Sequence, residues 1–288
     1  MSHEVTRHPG AHGTAAPLGD DTAQDIRIRA VASLAEFRAC VGLQVEVWGP
    51  EYTDSVPASL LQVSTYVGGL VLGAFTPADE LVGFLFGLTG MDGPDVVHWS
   101  HLLGVRPGAR DLGVGRMLKE AQRATLAARG VRRMSWTFDP LVAKNAYLNF
   151  NRLGAYVVEY VADMYGTTTS PLHYGLATDR LVVCVDTDTP AHVPAATEFG
   201  EERLPVLTLE LREGDLAVSS RNPPPSLWIE IPNDIHQVIE RAPTSAVAWR
   251  KVVRDHFQWA LAAGYAVLGL HRDAATSRSY YVLRRQGA

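Results

Sequence analysis

The 288-residue chain has only two cysteines, Cys40 and Cys184. Both lie in apolar segments, which excludes a disulfide framework and predicts buried free thiols of a reducing, cytoplasmic compartment. No apolar run reaches the roughly 20 residues that span a bilayer, so no membrane partner is expected. No basic start leads into an apolar stretch, so no signal peptide is expected either. Basic excess is also missing: the formal net charge is −5, which argues against nucleic acid as a partner. Arg129, Arg132 and Arg133 read as solvated positions around a helix end. His3, His8 and His12 have no coordinating spacing on an ordered element, and no metal site is expected.

What is present is a core, with 47% hydrophobic residues. Residues 1–24 lack periodicity and are expected to form a disordered tail. From Asp25 the pattern is regular. DIRIRAV alternates as a strand, SLAEFRACVGLQVEVWG has helical spacing, and PASLLQVSTY predicts a second helix. GLVLGAFT, ELVGFLFGLTG and VVHWSHLLGV follow as strands. Met117, Leu118, Ala121, Ala124, Thr125 and Ala128 form one face of the next helix, ended at Gly130. The strand VRRMSWTFD, the helix AKNAYLNFNRLG and the strands AYVVEYVADMYG and DRLVVCVDT complete a β-α-α-β-β-β-α-β-α-β-β order.

Residues 188–203 read as a connector. Residues 204–288 carry VLTLELREG, a triple-proline break, LWIEIP, a helix near 246–263, YAVLGLHR and SYYVLRR. The last part repeats the strand-helix-Gly-strand plan of residues 25–187 without its glycine turn. Trp249, Val252, Val253, Phe257, Ala260 and Leu261 stripe the helix, so this extension is expected to dock on the first domain or on a second subunit, a homodimer being one outcome.

The segment VRPGARDLGVGRMLKEAQ, residues 105–122, places an Arg-x-x-Gly-x-Gly turn between a strand and a helix. A nucleoside-triphosphate loop needs Lys and Ser or Thr after its last glycine, and Val114 and Gly115 stand there. A dinucleotide turn needs a small third position, and Leu118 fills it. The remaining fit is a pyrophosphate cradle at a helix N-terminus, bound without a metal. It uses amides of Leu112, Gly113, Val114, Gly115 and Arg116, with Arg110 bracing the loop or meeting a phosphate. Coenzyme A is such a ligand.

HLLGVRP, RDLGVG, the helix to Gly130, MSWTFD and NAYLNFNRLGA together resemble the general-control-nonrepressible-related N-acetyltransferase (GNAT) superfamily, over about residues 25–187. The resemblance implies an α/β (α+β) fold with a mixed central sheet whose fourth and fifth strands splay apart, here with a smaller C-terminal half-repeat. It implies an acyl-coenzyme-A-dependent N-acyltransferase, using acetyl-CoA or another acyl-CoA and a small-molecule amine such as an amino acid. Pantetheine would pair with the backbone of Leu103 and Val105, and a bulge at Gly104 would free an amide for the thioester oxygen. Asp111 belongs to the cradle turn, and Asn145 resembles the asparagine that reaches pantetheine.

An alkyl amine is almost wholly protonated at pH 7, so a base helps. Period-two alternation puts Trp99, His101, Leu103 and Val105 on one strand face, making His101 the candidate and Asp139 the runner-up. A structural histidine and a turn aspartate before Pro140 are the alternatives. The family's usual acid is a tyrosine four residues before the glycine. Here that residue is Phe150, with Tyr147 one turn earlier as a substitute. Trp99, Trp136, Phe138 and Tyr160 are expected either at an acceptor pocket or in the core. The missing tyrosine keeps open a second function, a non-catalytic acyl-CoA-binding sensor.

Overall fold

The computed structural model describes residues 25–50, 52–166, 176–189, 206–208, 223–273, 276 and 278–287. The expected tail 1–24 and most of the expected connector and of the strand VLTLELREG lie outside the described residues.

Seven strands build the first sheet: β1 (Arg27–Ala30), β2 (Leu70–Phe75), β3 (Leu81–Asp92), β4 (Asp95–Val105), β5 (Arg133–Phe138), β6 (Tyr156–Val161) and β7 (Arg180–Asp186). Their order is β1-β2-β3-β4-β5-β7-β6. β4 and β5 pair parallel, and the other neighbours pair antiparallel.

Helices α1 (Leu34–Trp48) and α2 (Ala58–Tyr66) cover one face. α1 starts at a capping box: the Glu36 amide donates to Ser33 Oγ, and the Ser33 amide to the Glu36 carboxylate. Phe37, Cys40 and Leu43 then pack on Phe84, Phe86 and Leu102. Both cysteines are buried free thiols, and burial pushes the Cys40 thiol up to about 12.

α3 (Val114–Ala128) covers the opposite face. Its buried ridge is Val114, Leu118, Gln122 and Leu126, four residues apart, with Lys119 beside it. The alanine-rich face expected from the sequence is therefore turned partly outward, with Ala124 and Ala128 exposed. Polar groups projecting from β4 explain the turn, as described below. On the same face, a short helix α4 (Ala143–Ala146) widens into a π turn, Tyr147–Arg152, before Gly154 in the left-handed region.

The C-terminal sheet has the order β10-β11-β9-β8, from β8 (Val206–Leu207), β9 (Ser226–Pro232), β10 (Tyr265–Asp273) and β11 (Arg278–Arg285). Two helices accompany it, α5 (Ile235–Arg241) and α6 (Pro243–Ala262). Of these, α5 was not legible in the sequence.

The second sheet docks on the first, and one core runs through both, from Trp136, Phe138 and Phe150 to Ile229, Phe257 and Tyr281. At the joint, the Asn151 side chain donates to the Leu270 carbonyl (3.1 Å) and accepts from the Leu270 amide (2.8 Å). The register of β10 shifts between Val267 and Gly269, just before this clasp. The Tyr281 hydroxyl donates to the Pro140 carbonyl at 2.7 Å.

Candidate active site

The site starts from a break in pairing. β4 and β5 share only three rungs, Val97–Arg133, His98–Met134 and Trp99–Ser135. Beyond them Ser100–Val105 pairs only with β3, and Trp136–Phe138 only with β7. The two strands thus open a V toward their C-terminal ends, the divergence expected from the sequence.

The glycine turn stands at the open end. Asp111 (φ 67°) and Gly113 (φ 77°) are both left-handed, and Gly113 is the N-cap of α3. No side chain caps this helix, so its first amides remain for another acceptor. A Cβ on Gly113 would project into open space, and one on Gly115 would meet Leu103 at 3.5 Å. Arg110 braces the loop, its Nε donating to the Val105 carbonyl (3.4 Å). Asp111 is ion-paired with Lys144 at the start of α4, which places Asn145 next to the bridge across the V. Arg116 pairs with Glu120 one turn on. The chain therefore brings Arg110–Arg116, Leu103 and Val105 around one mouth, with Lys144 reaching it beside Asn145.

The bulge is real but sits elsewhere than expected. Phe86 pairs with Leu102 and Gly87 with Ser100, so the extra residue is His101, not Gly104. Gly104 is tight for another reason: a Cβ there would meet Leu43, Phe84 and Trp48 at 3.2 Å.

The bulge also breaks the period-two alternation. Before it, His98 and Ser100 point to α3, and after it Leu103 and Val105 do. His101 faces the other way, edge-on to Phe86 at 5.9 Å. It is thus separated from Leu103 and Val105, on the α1/α2 face. Although the residue is exposed, partial desolvation of the ring lowers the His101 pKa, opposed by the charge of Asp54.

Other groups on that face were missed in the sequence. Tyr52 and Asp54 come from the segment between α1 and α2, and the charge of Asp54 helps raise the Tyr52 pKa. Tyr52 also senses Tyr165 and Arg180, and its own pKa is raised by burial first. Tyr165 shares a hydrogen bond with Thr137 Oγ1 (3.2 Å), and Arg180 lies over the Tyr165 ring at 5.3 Å. Trp48 stacks on Tyr52 at 5.4 Å. No local motif marks these residues; only the sheet order collects them.

Asp139 stands differently from a base. Arg250 of α6 holds both its oxygens, at 2.8 and 2.6 Å, and Arg180 approaches to 3.9 Å. Burial alone would raise its pKa, but the charge and hydrogen bonds of Arg250, then Arg180 and the Leu141 amide, lower it. A carboxylate so held is a weak proton acceptor, and its evident work is docking. One turn on, Arg254 grips Asp179 (2.8 and 2.5 Å), which also accepts from the Tyr160 hydroxyl at 2.6 Å.

Tyr147 does not meet His101. It lies on the α3/α4 face, half-buried between Arg152 and Arg272, each 5.3 Å from its ring. Phe150 is in the joint core, edge-on to Phe138 and Tyr281. Trp136, Phe138 and Tyr160 are likewise buried core residues, which leaves Trp99 half-buried on the His101 side.

Between α3 and the V lies a polar layer that the sequence did not disclose. Lys119 Nζ donates to Ser100 Oγ (2.8 Å) and sits 3.8 Å over the Trp136 ring. His98 bridges Gln122 (2.9 Å) and Thr89 (2.9 Å). Burial lowers the His98 pKa to about 4, and the Lys119 charge adds to this. The tightness is set by Gly87, whose added Cβ would fall 2.2 Å from His98 Nε2.

No protein-family model matches the chain, and no curated protein matches it. Among solved structures, a phosphinothricin acetyltransferase of the GNAT superfamily from Sinorhizobium meliloti, in complex with acetyl-CoA, is 16% identical. It covers 59% of this chain and 94% of its own, with a TM-score of 0.46. The ribosomal-protein-S18-alanine N-acetyltransferase from Escherichia coli is 14% identical over 59% and 99%, with a TM-score of 0.45. An N-acetyltransferase from Staphylococcus aureus Mu50 is 12% identical over 57% and 99%, with a TM-score of 0.44. In this chain itself, the mixed sheet and the divergence of β4 from β5 are the features that the sequence resemblance implied.

Proposed function

We propose that the protein is an acyl-coenzyme-A-dependent N-acyltransferase of the GNAT superfamily, acting on a primary amine of a small molecule. The observation that carries this is the V between β4 and β5 with an uncapped helix N-terminus at its open end. The cradle fits a pyrophosphate: Gly113 needs no Cβ, and helix amides with the dipole favour an anion. Leu112–Arg116 would hold the phosphates, and unpaired backbone along Ser100–Val105 would hold pantetheine.

The chemistry supplied by the bound ester is an activated acyl carbonyl. The chain's part is to accept a proton and to hold the amine. His101, on the α1/α2 face and with its pKa lowered by desolvation, would take the proton, directly or through water. Tyr52, Asp54, Tyr165 and Arg180 would line the acceptor side. No tyrosine acid is required, since a thiol of pKa about 8.5 leaves tolerably as thiolate.

The second reading is an acyl-CoA-binding sensor, favoured by the burial of Phe150 where the family's tyrosine is expected. Thiol release from acetyl-CoA across a panel of small amines separates the two. Turnover supports the enzyme, and tight binding without turnover supports the sensor. Gly115→Val, whose Cβ makes an ordinary 3.5 Å contact with Leu103, should lose coenzyme A affinity by calorimetry while staying folded. Undiminished affinity in that variant would remove the cradle from the argument.

A further inference from the structure

The vertex of the V is occupied in an unusual way. Ser100 and Trp136 are the first residues past the last rung that joins β4 to β5. Lys119 reaches both, with its ammonium end bonded to Ser100 and lying over the Trp136 ring. Its side chain is buried, at 5% exposure. A buried lysine is ordinarily paired with a carboxylate, yet Lys119 has none among the described residues. One hydroxyl and one ring face do not satisfy three N–H donors.

A cavity of about 40 Å³ adjoins it, lined by Lys119, Trp136, Arg123 and Arg152 among others. A water needs roughly 10–15 Å³ by the same measure, so there is room for a group with two oxygens. The mouth lies between α3 and the π turn. Among the described residues, Arg123 is engaged there with the backbone carbonyls of Asp186 and Thr189, and Arg152 with the Tyr147 ring. The one carboxylate at the rim, Glu120, is already paired with Arg116. β5 and β7 present only apolar Met134 and Val185 to the cavity beside Trp136. Two arginines and the Lys119 amine thus surround a small space that holds no free anion among the described residues.

We propose that this cavity is a carboxylate-binding subsite in which Lys119 is the ligand at the floor, flanked by Arg123 and Arg152. The carboxylate can come from two sources. It is either the far end of a dicarboxylic acyl group carried by coenzyme A, or the carboxylate of an amino-acid acceptor, which would bring the amine to the α3 side of the sheet and remove His101 as its base. The first source rests on the coenzyme A reading above; the subsite itself does not.

Burial holds the Lys119 pKa well below the usual lysine range. Ligand binding should therefore be coupled to proton uptake. The charged and titratable groups facing this amine are His98 on β4, Glu120 and Arg123 on α3, and Arg152 on the π turn. His98, held neutral at pH 7, stays silent, so the proton goes to Lys119.

The test is calorimetry of the full chain at pH 7.5 in two buffers of different ionisation enthalpy. Acetyl-CoA, succinyl-CoA and free succinate are the titrants, followed by L-alanine against ethylamine with coenzyme A present, which carries no acyl group and so allows no turnover. A dicarboxylic donor predicts that succinyl-CoA binds roughly tenfold or more tighter than acetyl-CoA, with up to one extra proton taken up. An amino-acid acceptor predicts like affinities for the two esters and the same contrast between L-alanine and ethylamine. In either case Lys119→Met abolishes both the preference and the proton uptake, and acetyl-CoA affinity stays within about twofold. Lys119→Gln serves as the second variant if the first does not fold. No preference for any carboxylate probe, or a preference that survives loss of Lys119, overturns the proposal. Failure of both esters to bind, with succinate still bound through Lys119, would instead overturn the coenzyme A reading and leave the subsite standing.

Discussion

Replacing Asp139 by Asn tests whether this residue docks the two sheets or serves as a base. The substitution keeps the side-chain volume and an oxygen for the Leu141 amide, which Asp139 accepts at 2.8 Å. It removes the charge that neutralises Arg250, whose side chain is 5% exposed, and it leaves Arg180 in the same neighbourhood. Breaking a buried ion pair by removing one partner costs about 3–5 kcal/mol. At about 2–4 °C per kcal/mol for a chain of this order of size, the thermal midpoint should fall by roughly 6–20 °C. The double variant Asp139→Leu with Arg250→Met discards both charges and should recover most of the loss. The sign with pH follows from the lowered folded-state pKa of Asp139. Its contribution is fully present above the unfolded value of about 3.9 and is lost as pH falls through the folded one. Urea denaturation of parent and variant at pH 7 should therefore differ by the full amount, and the difference should shrink on strong acidification. A loss below about 1 kcal/mol at pH 7 would refute the docking role. So would a variant of parental stability that no longer turns over, because a base is lost in that manner and an anchor is not.

Two further outcomes are expected. The acidic limb of kcat/KM should have its midpoint below the ordinary histidine value, because burial lowers the His101 pKa; His101→Gln should abolish that limb and leave coenzyme A affinity intact, and an unchanged profile would make the ring structural. Phe150→Tyr should not increase turnover, since the new hydroxyl is buried against Phe138 and Tyr281; it should cost about 1–3 kcal/mol of stability, read by denaturation.

The order of elements was legible in the residues because strand and helix periods are local properties. The glycine turn was legible for the same reason: Gly113, the strand before it and the helix after it are contiguous in sequence, and the left-handed φ of Gly113 needs only a glycine. Burial of Cys40 and Cys184 followed from their apolar neighbours. The facing of β4 was different. Alternation assumes an unbroken ladder, and the extra residue at His101 is created by the pairing of β4 with β3, so one register shift moved Leu103 and Val105 to the opposite face from His101. Asp139 and Arg250 are 111 positions apart, and nothing near Asp139-Pro140 announces a guanidinium arriving from α6. Lys119 is outside the helical face that periodicity marks, Met117, Leu118, Ala121, Ala124, Thr125 and Ala128. It is buried because the sheet opens beneath it and leaves Ser100 and Trp136 without a strand between them, a vacancy that exists only once β4 and β5 have come together and parted.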